Sequence, residues 1–139
     1  MISFNYETDF ELSDESYYQQ WLSTVIFSEN KVEGEISYIF CDDDYLHKIN
    51  LEYLQHDTLT DVISFDYTVG NELHGDIFIS TERVADNAKD FNVSFENELK
   101  RVIVHGLLHF CGYNDKSEID EAMMRDKEEE KILMFHVEH

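Results

Sequence analysis

Proline is absent from this chain of 139 residues, and only five glycines occur in it. Because these two residues most often interrupt helices and strands, their scarcity argues against linkers and low-complexity segments. The sequence also shows no internal repeat. A chain of this length can bury about two-thirds of its unfolded surface. We therefore expect a single domain that spans residues 1–139.

Cysteines and long apolar runs are also scarce. Cys41 and Cys111 are far apart and form no C-x-x-C pair, which argues against a disulfide framework and a cysteine-based zinc site. No window approaches the roughly 18 apolar residues of a membrane span. The first ten residues have neither the basic nor the apolar region of a secretory signal. These absences predict a soluble protein of the reducing cytoplasm, without membrane contact.

Basic residues are few: 10 Lys and Arg face 31 Asp and Glu, for a formal net charge of −21, and residues 1–30 contain no Lys or Arg. A field of this sign disfavours broad, salt-driven binding of nucleic acids. A nucleic-acid role would therefore need a local positive charge, such as a bound cation or the basic pair in "LKR" at 99–101. Otherwise the acidity serves solubility.

The order of the predicted elements indicates an α+β fold. Strands are predicted at 2–6, 34–40, 60–67 and 74–80, the last two joined by the short segment "TVGNEL" and hence antiparallel. Helices are predicted at 13–29 with Ser13 as its cap, and at 42–54, 81–91, 94–110 and 117–135. We expect a mostly parallel, mixed sheet of about four strands packed with about five helices. The charged run "RDKEEEK" at 125–131 should lie on the solvated side of the last helix and mark no site.

The stretch "HGLLHFCGYND" at 105–115 carries the chemistry. His105 and His109 lie one helical turn apart and share a face. Gly112 is a natural helix end, and the reversed chain can bring Asp115 back toward the histidines. Three protein ligands with a position left for water are typical of a catalytic zinc, whereas a structural zinc usually has four. The spacing predicts a metal site of His105, His109 and Asp115 on a helix and the turn after it.

Two other metalloenzyme classes share part of this pattern. The metzincin peptidases have H-E-x-x-H-x-x-G-x-x-H, but Gly106 stands where they need the glutamate that activates water. Two histidines and a carboxylate also form the facial triad of Fe(II) oxygenases, whose ligands usually come from strands of a barrel rather than from a helix. No residue of the motif is an evident general base, so the base is unassigned.

The motif at 105–115 resembles the signature of the YbeY family of bacterial rRNA-maturation endoribonucleases, H-G-x-L-H-x-x-G-Y-D-H. A second block, "NLEYLQHDTLTDVISF" at 50–65, is similar to the family's N-x-x-Y-R-x-K-D-x-P-T-D-V-L-S-F. "GDIFIS" at 75–80 resembles the G-D-I strand that follows. The blocks keep the family's order over about residues 35–135, so the resemblance covers most of the chain.

The resemblance implies a zinc-dependent endoribonuclease that acts on single-stranded RNA in rRNA maturation and ribosome quality control in the cytoplasm. Its nucleophile would be a metal-bound water, and its partners would be rRNA and the small ribosomal subunit or its proteins. Thr60, Asp61 and Ser64 would be substrate-cleft groups, although strand edges routinely carry such residues. The alternative is a ribosome-assembly factor that binds without cutting and uses the metal only to hold its fold.

Three departures from the family pattern affect the chemistry, and Leu59 in place of the family's proline is a smaller change. Asp115 replaces the third histidine, which lowers the positive charge of the site and should make a metal-bound water less acidic. Leu54 and His56 replace an arginine and a lysine that would face phosphate. These two losses favour the assembly-factor alternative, because they affect cleavage rather than metal binding.

Overall fold

The computed structural model describes residues 1–55 and 60–137. The strands are β1 (Ile2–Tyr6), β2 (Val32–Cys41), β3 (Val62–Asp66) and β4 (Glu72–Ser80). The α-helices are α1 (Glu15–Ser28), α2 (Asp43–Ile49), α3 (Thr81–Phe91), α4 (Phe95–Phe110) and α5 (Glu118–Val137). A π-helical turn, Asn50–Leu54, follows α2 directly. Within these ranges no helix is both long enough and apolar enough to cross a membrane.

The four strands form one mixed sheet in the order β1-β2-β4-β3. β1 and β4 both run parallel to β2, and β3 returns antiparallel to β4. The connection from β3 to β4 is short, as an antiparallel pair requires. The structure therefore confirms the predicted α+β fold with its mostly parallel sheet and five helices.

The core lies mainly on one face of the sheet. In β2 the side chains of Ile36, Tyr38 and Phe40 alternate inward with the period of two expected for a strand. They belong to a large apolar cluster that includes Trp21 of α1 and Leu107 of α4. A smaller cluster on α2, β2 and β3 comprises Cys41, Leu46, Ile49 and Ile63.

Two predicted helices differ from the observed ones at their ends. Helix α1 is capped by Asp14 rather than Ser13, because the Asp14 carboxylate accepts a hydrogen bond from the Tyr17 N–H at 3.2 Å. Both residue types suit an N-cap, so the sequence alone does not distinguish neighbours. The helix predicted at 42–54 ends its α-helical part at Ile49 and continues as the π-helical turn, after which Gln55 adopts a left-handed conformation.

Helix α4 lies very close to the sheet at Gly106. A Cβ atom at this position would be only 2.9 Å from Cγ2 of Ile77 on β4. The Ser94 side chain caps the start of α4, accepting from the Asn97 N–H at 3.1 Å. The helix ends at Phe110, and Gly112 then turns the chain with a φ of 106°. This close packing fixes the position of α4, which carries both histidines.

Candidate metal centre

His105 and His109 of α4 meet Asp115 at one point. The two Nε2 atoms are 3.1 Å apart. Asp115 Oδ2 lies 3.2 Å from Nε2 of His105 and 3.3 Å from Nε2 of His109. The left-handed turn at Gly112 returns the chain so that Asp115 reaches the helix. The three side chains are half-buried, and together they could hold one metal ion.

The partners of the second ring nitrogens assign the histidine tautomers. Nδ1 of His109 lies 2.9 Å from the carbonyl oxygen of Tyr113, which can only accept a hydrogen bond. Nδ1 of His105 lies 2.6 Å from Oε2 of Glu128, and an ionised carboxylate likewise only accepts. Both Nδ1 atoms therefore carry the proton in the neutral rings, and both Nε2 atoms present lone pairs.

Three lone-pair atoms thus converge with no proton donor between them. Two imidazole nitrogens and one carboxylate oxygen would repel one another at about 3 Å, and a cation at their centre removes that repulsion. Mixed nitrogen and oxygen ligands of this kind suit zinc and other first-row divalent metals. The donor set therefore fits a divalent metal.

The prediction of a solvated run at 125–131 holds for Arg125, Asp126, Glu129 and Glu130, which are exposed, but is wrong for Glu128 and Lys131. Instead of lying in solvent, Glu128 and Lys131 are only 3% and 2% exposed. They follow the buried Met124 at intervals of four and three residues, which places all three on one face of α5. This helical period was a signal in the sequence, but charged residues are rarely buried without partners, and the run was therefore read as solvated.

Arg101 connects the surrounding carboxylates. Its guanidinium donates to Glu98 at 3.0 and 2.6 Å and to Oε1 of Glu128 at 3.4 Å. Its Nη2 also lies 3.7 Å from Oδ2 of Asp61. The hydrogen bonds to Glu98 raise the pKa of Arg101 above its usual range, against the lowering effect of burial, and Glu128 adds to the rise.

The "LKR" segment does not supply a free basic cluster, contrary to the sequence-based suggestion. Arg101 is engaged by three carboxylates, as described above. Lys100 is buried, and its Nζ lies 4.0 Å from the centre of the Phe135 ring. Local positive charge at this centre would therefore have to come from a bound cation or another side chain.

A cleft of about 480 Å³ opens beside the three ligands. The candidate substrate groups Thr60, Asp61 and Ser64 line it, so the structure brings all six predicted site residues together. The remaining lining residues are Val62, Asp66 and Phe110. Asp66 was missed, although it lies two residues after Ser64 on β3 and therefore shares its face.

Positive side chains do not line this cleft within residues 1–55 and 60–137. Leu54 closes the π-helical turn and is 40% exposed, without lining the cleft. His56 and Leu59, the other departures in that block, lie outside the described residues. Arg101 and Arg125 lie instead in a smaller adjoining groove, which His105 and Asp115 also line.

Comparison with known proteins identifies close relatives over nearly the whole chain. The family model for endoribonuclease YbeY matches residues 3–136. A Flavobacterium johnsoniae protein named endoribonuclease YbeY is 72% identical over 138 residues, which are 99% of each chain. Proteins of the same name from Flavobacterium psychrophilum and Christiangramia forsetii are 67% and 63% identical, and each match covers 99% of this chain and 98% or 96% of theirs.

A solved structure supports the fold independently. The solution structure of a Thermotoga maritima protein superposes with a TM-score of 0.70 at 24% sequence identity, covering 99% of this chain and 91% of that one. Because the family model and the relatives both extend from the first strand to the last helix, the chain belongs to the endoribonuclease YbeY family.

Proposed function

We propose that this protein is a zinc-dependent endoribonuclease that cleaves single-stranded RNA in rRNA maturation and ribosome quality control in the cytoplasm. Residues 1–139 act as one domain in this proposal, with rRNA and the small ribosomal subunit as partners. The observation that carries it is the convergence of three lone-pair atoms of His105, His109 and Asp115 beside a cleft, in a member of an endoribonuclease family.

The residues of the chain have distinct tasks in this proposal. A divalent metal, when bound, supplies Lewis acidity and lowers the pKa of a bound water. His105, His109 and Asp115 hold that metal at the cleft. Ser64 places a hydroxyl group along the same cleft, where it can donate a hydrogen bond to a phosphate oxygen or a ribose. The Thr60 hydroxyl donates to the Val62 carbonyl oxygen at 3.3 Å and can accept a hydrogen bond from a ribose hydroxyl. Cleavage therefore needs a substrate narrow enough to enter the cleft, which favours a single strand.

RNA hydrolysis tests the proposal directly. A labelled single-stranded RNA is incubated with metal-replete wild type, with Leu54→Arg and with His105→Ala, which lacks one ligand. We expect slow cleavage by wild type. Cleavage by Leu54→Arg should be faster, because an arginine at this exposed position can contact a phosphate of the strand beyond the cleft, and such a charge-assisted contact contributes roughly 1.5 to 3 kcal/mol, or one to two decades in rate. Cleavage by His105→Ala reports a contaminating nuclease. If neither of the other proteins exceeds that background, the catalytic proposal is wrong.

A metal-stabilised ribosome-assembly factor is the second candidate. The observation that favours it is the absence of a basic side chain from the described lining of the cleft, together with Leu54 at the position of the family's arginine. A net charge of −21 attracts basic ribosomal proteins. In that case wild type would bind small-subunit proteins without cutting RNA, and His105→Ala, which lacks a ligand of the stabilising metal, would be less stable and bind them less.

A further inference from the structure

We propose that Arg101 and Glu128 are positioning residues for the metal centre. Arg101 holds the Glu128 carboxylate in place, and Glu128 fixes the ring of His105 so that its Nε2 lone pair points to the metal. The inference rests on the proposed metal-dependent function, because it assigns to two residues a role in orienting a metal ligand.

The first step is the burial of Glu128. Its side chain is only 4% exposed, and its two oxygens have different partners. Oε2 lies 2.6 Å from Nδ1 of His105, and Oε1 lies 3.4 Å from Nη1 of Arg101. A buried carboxylate needs both hydrogen-bond donors and a compensating charge. The neutral imidazole supplies a donor, and Arg101 supplies the charge.

The second step is the geometry of Arg101. Its guanidinium makes a two-bond contact to Glu98 and keeps Nη1 for Glu128. A planar fork can serve two carboxylates in fixed directions, whereas an ammonium group has no such directionality. The orientation of Glu128 thus depends on an arginine that Glu98 already holds rigidly.

The third step connects this network to the cleft. Nη2 of Arg101 lies 3.7 Å from Oδ2 of Asp61, which also accepts a hydrogen bond from the Asn87 side chain at 3.4 Å. Asp61 lines the cleft beside the metal ligands. The network therefore joins Asp61, the residue before β3, to α4 and α5, and it links the cleft wall to a metal ligand through side chains.

The two histidines are oriented by different kinds of partner, so His109 can serve as an internal reference for changes at His105. His109 is held by the backbone carbonyl of Tyr113, a partner that substitution does not alter. His105 depends on the Glu128 side chain. A change at position 128 should therefore affect one ring and spare the other.

The substitution Glu128→Gln separates orientation from packing, because it preserves shape and removes the charge. A glutamine can present either its oxygen or its amide N–H to Nδ1 of His105, so it no longer dictates the tautomer. Glu129→Gln is the matched control: it makes the same charge change at an exposed neighbour on α5. Arg101→Lys keeps the positive charge but removes the planar guanidinium, and it therefore tests the role of Arg101.

Two measurements test these variants: the tautomer of each histidine ring and the affinity for zinc. Nitrogen-15 NMR of the histidine rings, recorded at a pH high enough that the spectrum no longer changes with further increase, reports each tautomer in metal-free protein. Competition with a chromophoric chelator reports zinc affinity. In Glu128→Gln we expect His105 to populate both tautomers, His109 to remain Nδ1-protonated, and zinc affinity to fall about 10- to 100-fold. Arg101→Lys should show a smaller loss of the same kind, and Glu129→Gln should match wild type.

Other outcomes would overturn the inference. An unchanged His105 tautomer with unchanged zinc affinity in Glu128→Gln shows that Glu128 does not position the ring. Equal effects on both rings, or a zinc loss in Glu129→Gln, point to a global change. If circular dichroism shows that Glu128→Gln does not fold, Arg101→Lys becomes the test. A wild-type His105 tautomer and a wild-type zinc affinity in Arg101→Lys would then contradict the proposal. Neither readout requires RNA cleavage, so a wild type that binds zinc without cutting RNA contradicts the proposed function alone.

Discussion

Asp115 stands where the family signature has a third histidine, and its carboxylate changes the charge of the centre. If it contacts the metal, Asp115→His replaces an anionic ligand by a neutral one and raises the positive charge of the site by one. A bound water then becomes more acidic. We expect the pH profile of RNA hydrolysis to move to lower pH, with zinc still bound. A profile that stays in place while zinc content is unchanged would show that Asp115 is not a ligand.

His109 provides the most direct test of metal binding. His109→Ala removes one of three ligands, so we expect zinc content, measured by elemental analysis, to fall from one equivalent to near zero. His74→Ala is the matched control, because this histidine lies outside the cleft with Nδ1 accepting from the Glu35 N–H at 3.0 Å. Retention of a full equivalent of zinc in His109→Ala, or equal loss in both variants, contradicts the assignment.

Gly106 explains at the residue scale why the motif is not that of a peptidase. Its missing side chain faces Ile77 in the core, so a side chain here would point into the sheet. We expect Gly106→Ala to be destabilising: overpacking costs about 1–3 kcal/mol, which exceeds or offsets the gain of up to about 1 kcal/mol in helix propensity. Urea denaturation measures the change, and a clearly more stable variant would show that α4 does not approach β4 this closely.

At the scale of single elements, the start of α1 can be tested with neighbouring residues. Asp14 caps the helix through the Tyr17 N–H, and Ser13 precedes the cap. Asp14→Ala should lower the free energy of unfolding by about 1 kcal/mol, the usual cost of a lost N-cap. Ser13→Ala should stay within about 0.5 kcal/mol of wild type. The reverse order in thermal or urea denaturation would assign the cap to Ser13.

We expect the contact between α1 and α5 to depend on pH. Glu29, which follows α1, accepts from Lys131 at 2.7 Å and from the Tyr113 hydroxyl at 2.7 Å. Burial alone would raise the pKa of Glu29, but these hydrogen bonds and the two nearby lysines lower it below its usual value. The carboxylate therefore stabilises the fold above its unfolded pKa of about 4.3, and this contribution is lost as pH falls through the lower folded value.

The corresponding prediction concerns Glu29→Gln. Urea denaturation from pH 7 down to about pH 3 should show wild type more stable than the variant above about pH 4.5. The difference should shrink on further acidification, as wild-type Glu29 becomes neutral. A stability difference that does not change with pH would show that the ionised form of Glu29 has no special role.

The sequence predicts the elements of this fold better than it predicts their buried charges. Periods of two and of about 3.6 residues located the strands and helices, because burial of one face requires them. The convergence of His105, His109 and Asp115 followed from spacing along one helix and its turn; the metal itself stays a prediction. The helical period places Glu128 on the buried face of α5, but it does not reveal the partners on α4, His105 and Arg101, that make burial of this carboxylate possible.

At the scale of the whole molecule, charge limits how RNA can bind. Several cations are already paired with acids, including Arg83 with Asp43 at 2.8 Å and Lys131 with Glu29. The cleft itself contains three aspartates, Asp61, Asp66 and Asp115. In the proposed function, attraction for a phosphate strand would therefore have to be short-ranged and centred on a bound metal ion, because the surrounding field has the opposite sign.

We therefore expect the binding of single-stranded RNA to depend only weakly on salt concentration. Each phosphate that a protein neutralises on a single strand contributes about −0.7 to the slope of log affinity against log salt. With one or two phosphates engaged, the slope should lie between about −0.7 and −1.4, and screening of the long-range repulsion brings it nearer to zero. Fluorescence anisotropy with a non-cleavable 2′-O-methyl strand measures it. Zinc-replete wild type should bind, and metal-free protein should not. Lys89→Gln, which removes an exposed cation of α3 outside the cleft, should leave the slope unchanged. A slope of about −3 or steeper would show that a wider basic surface binds the strand.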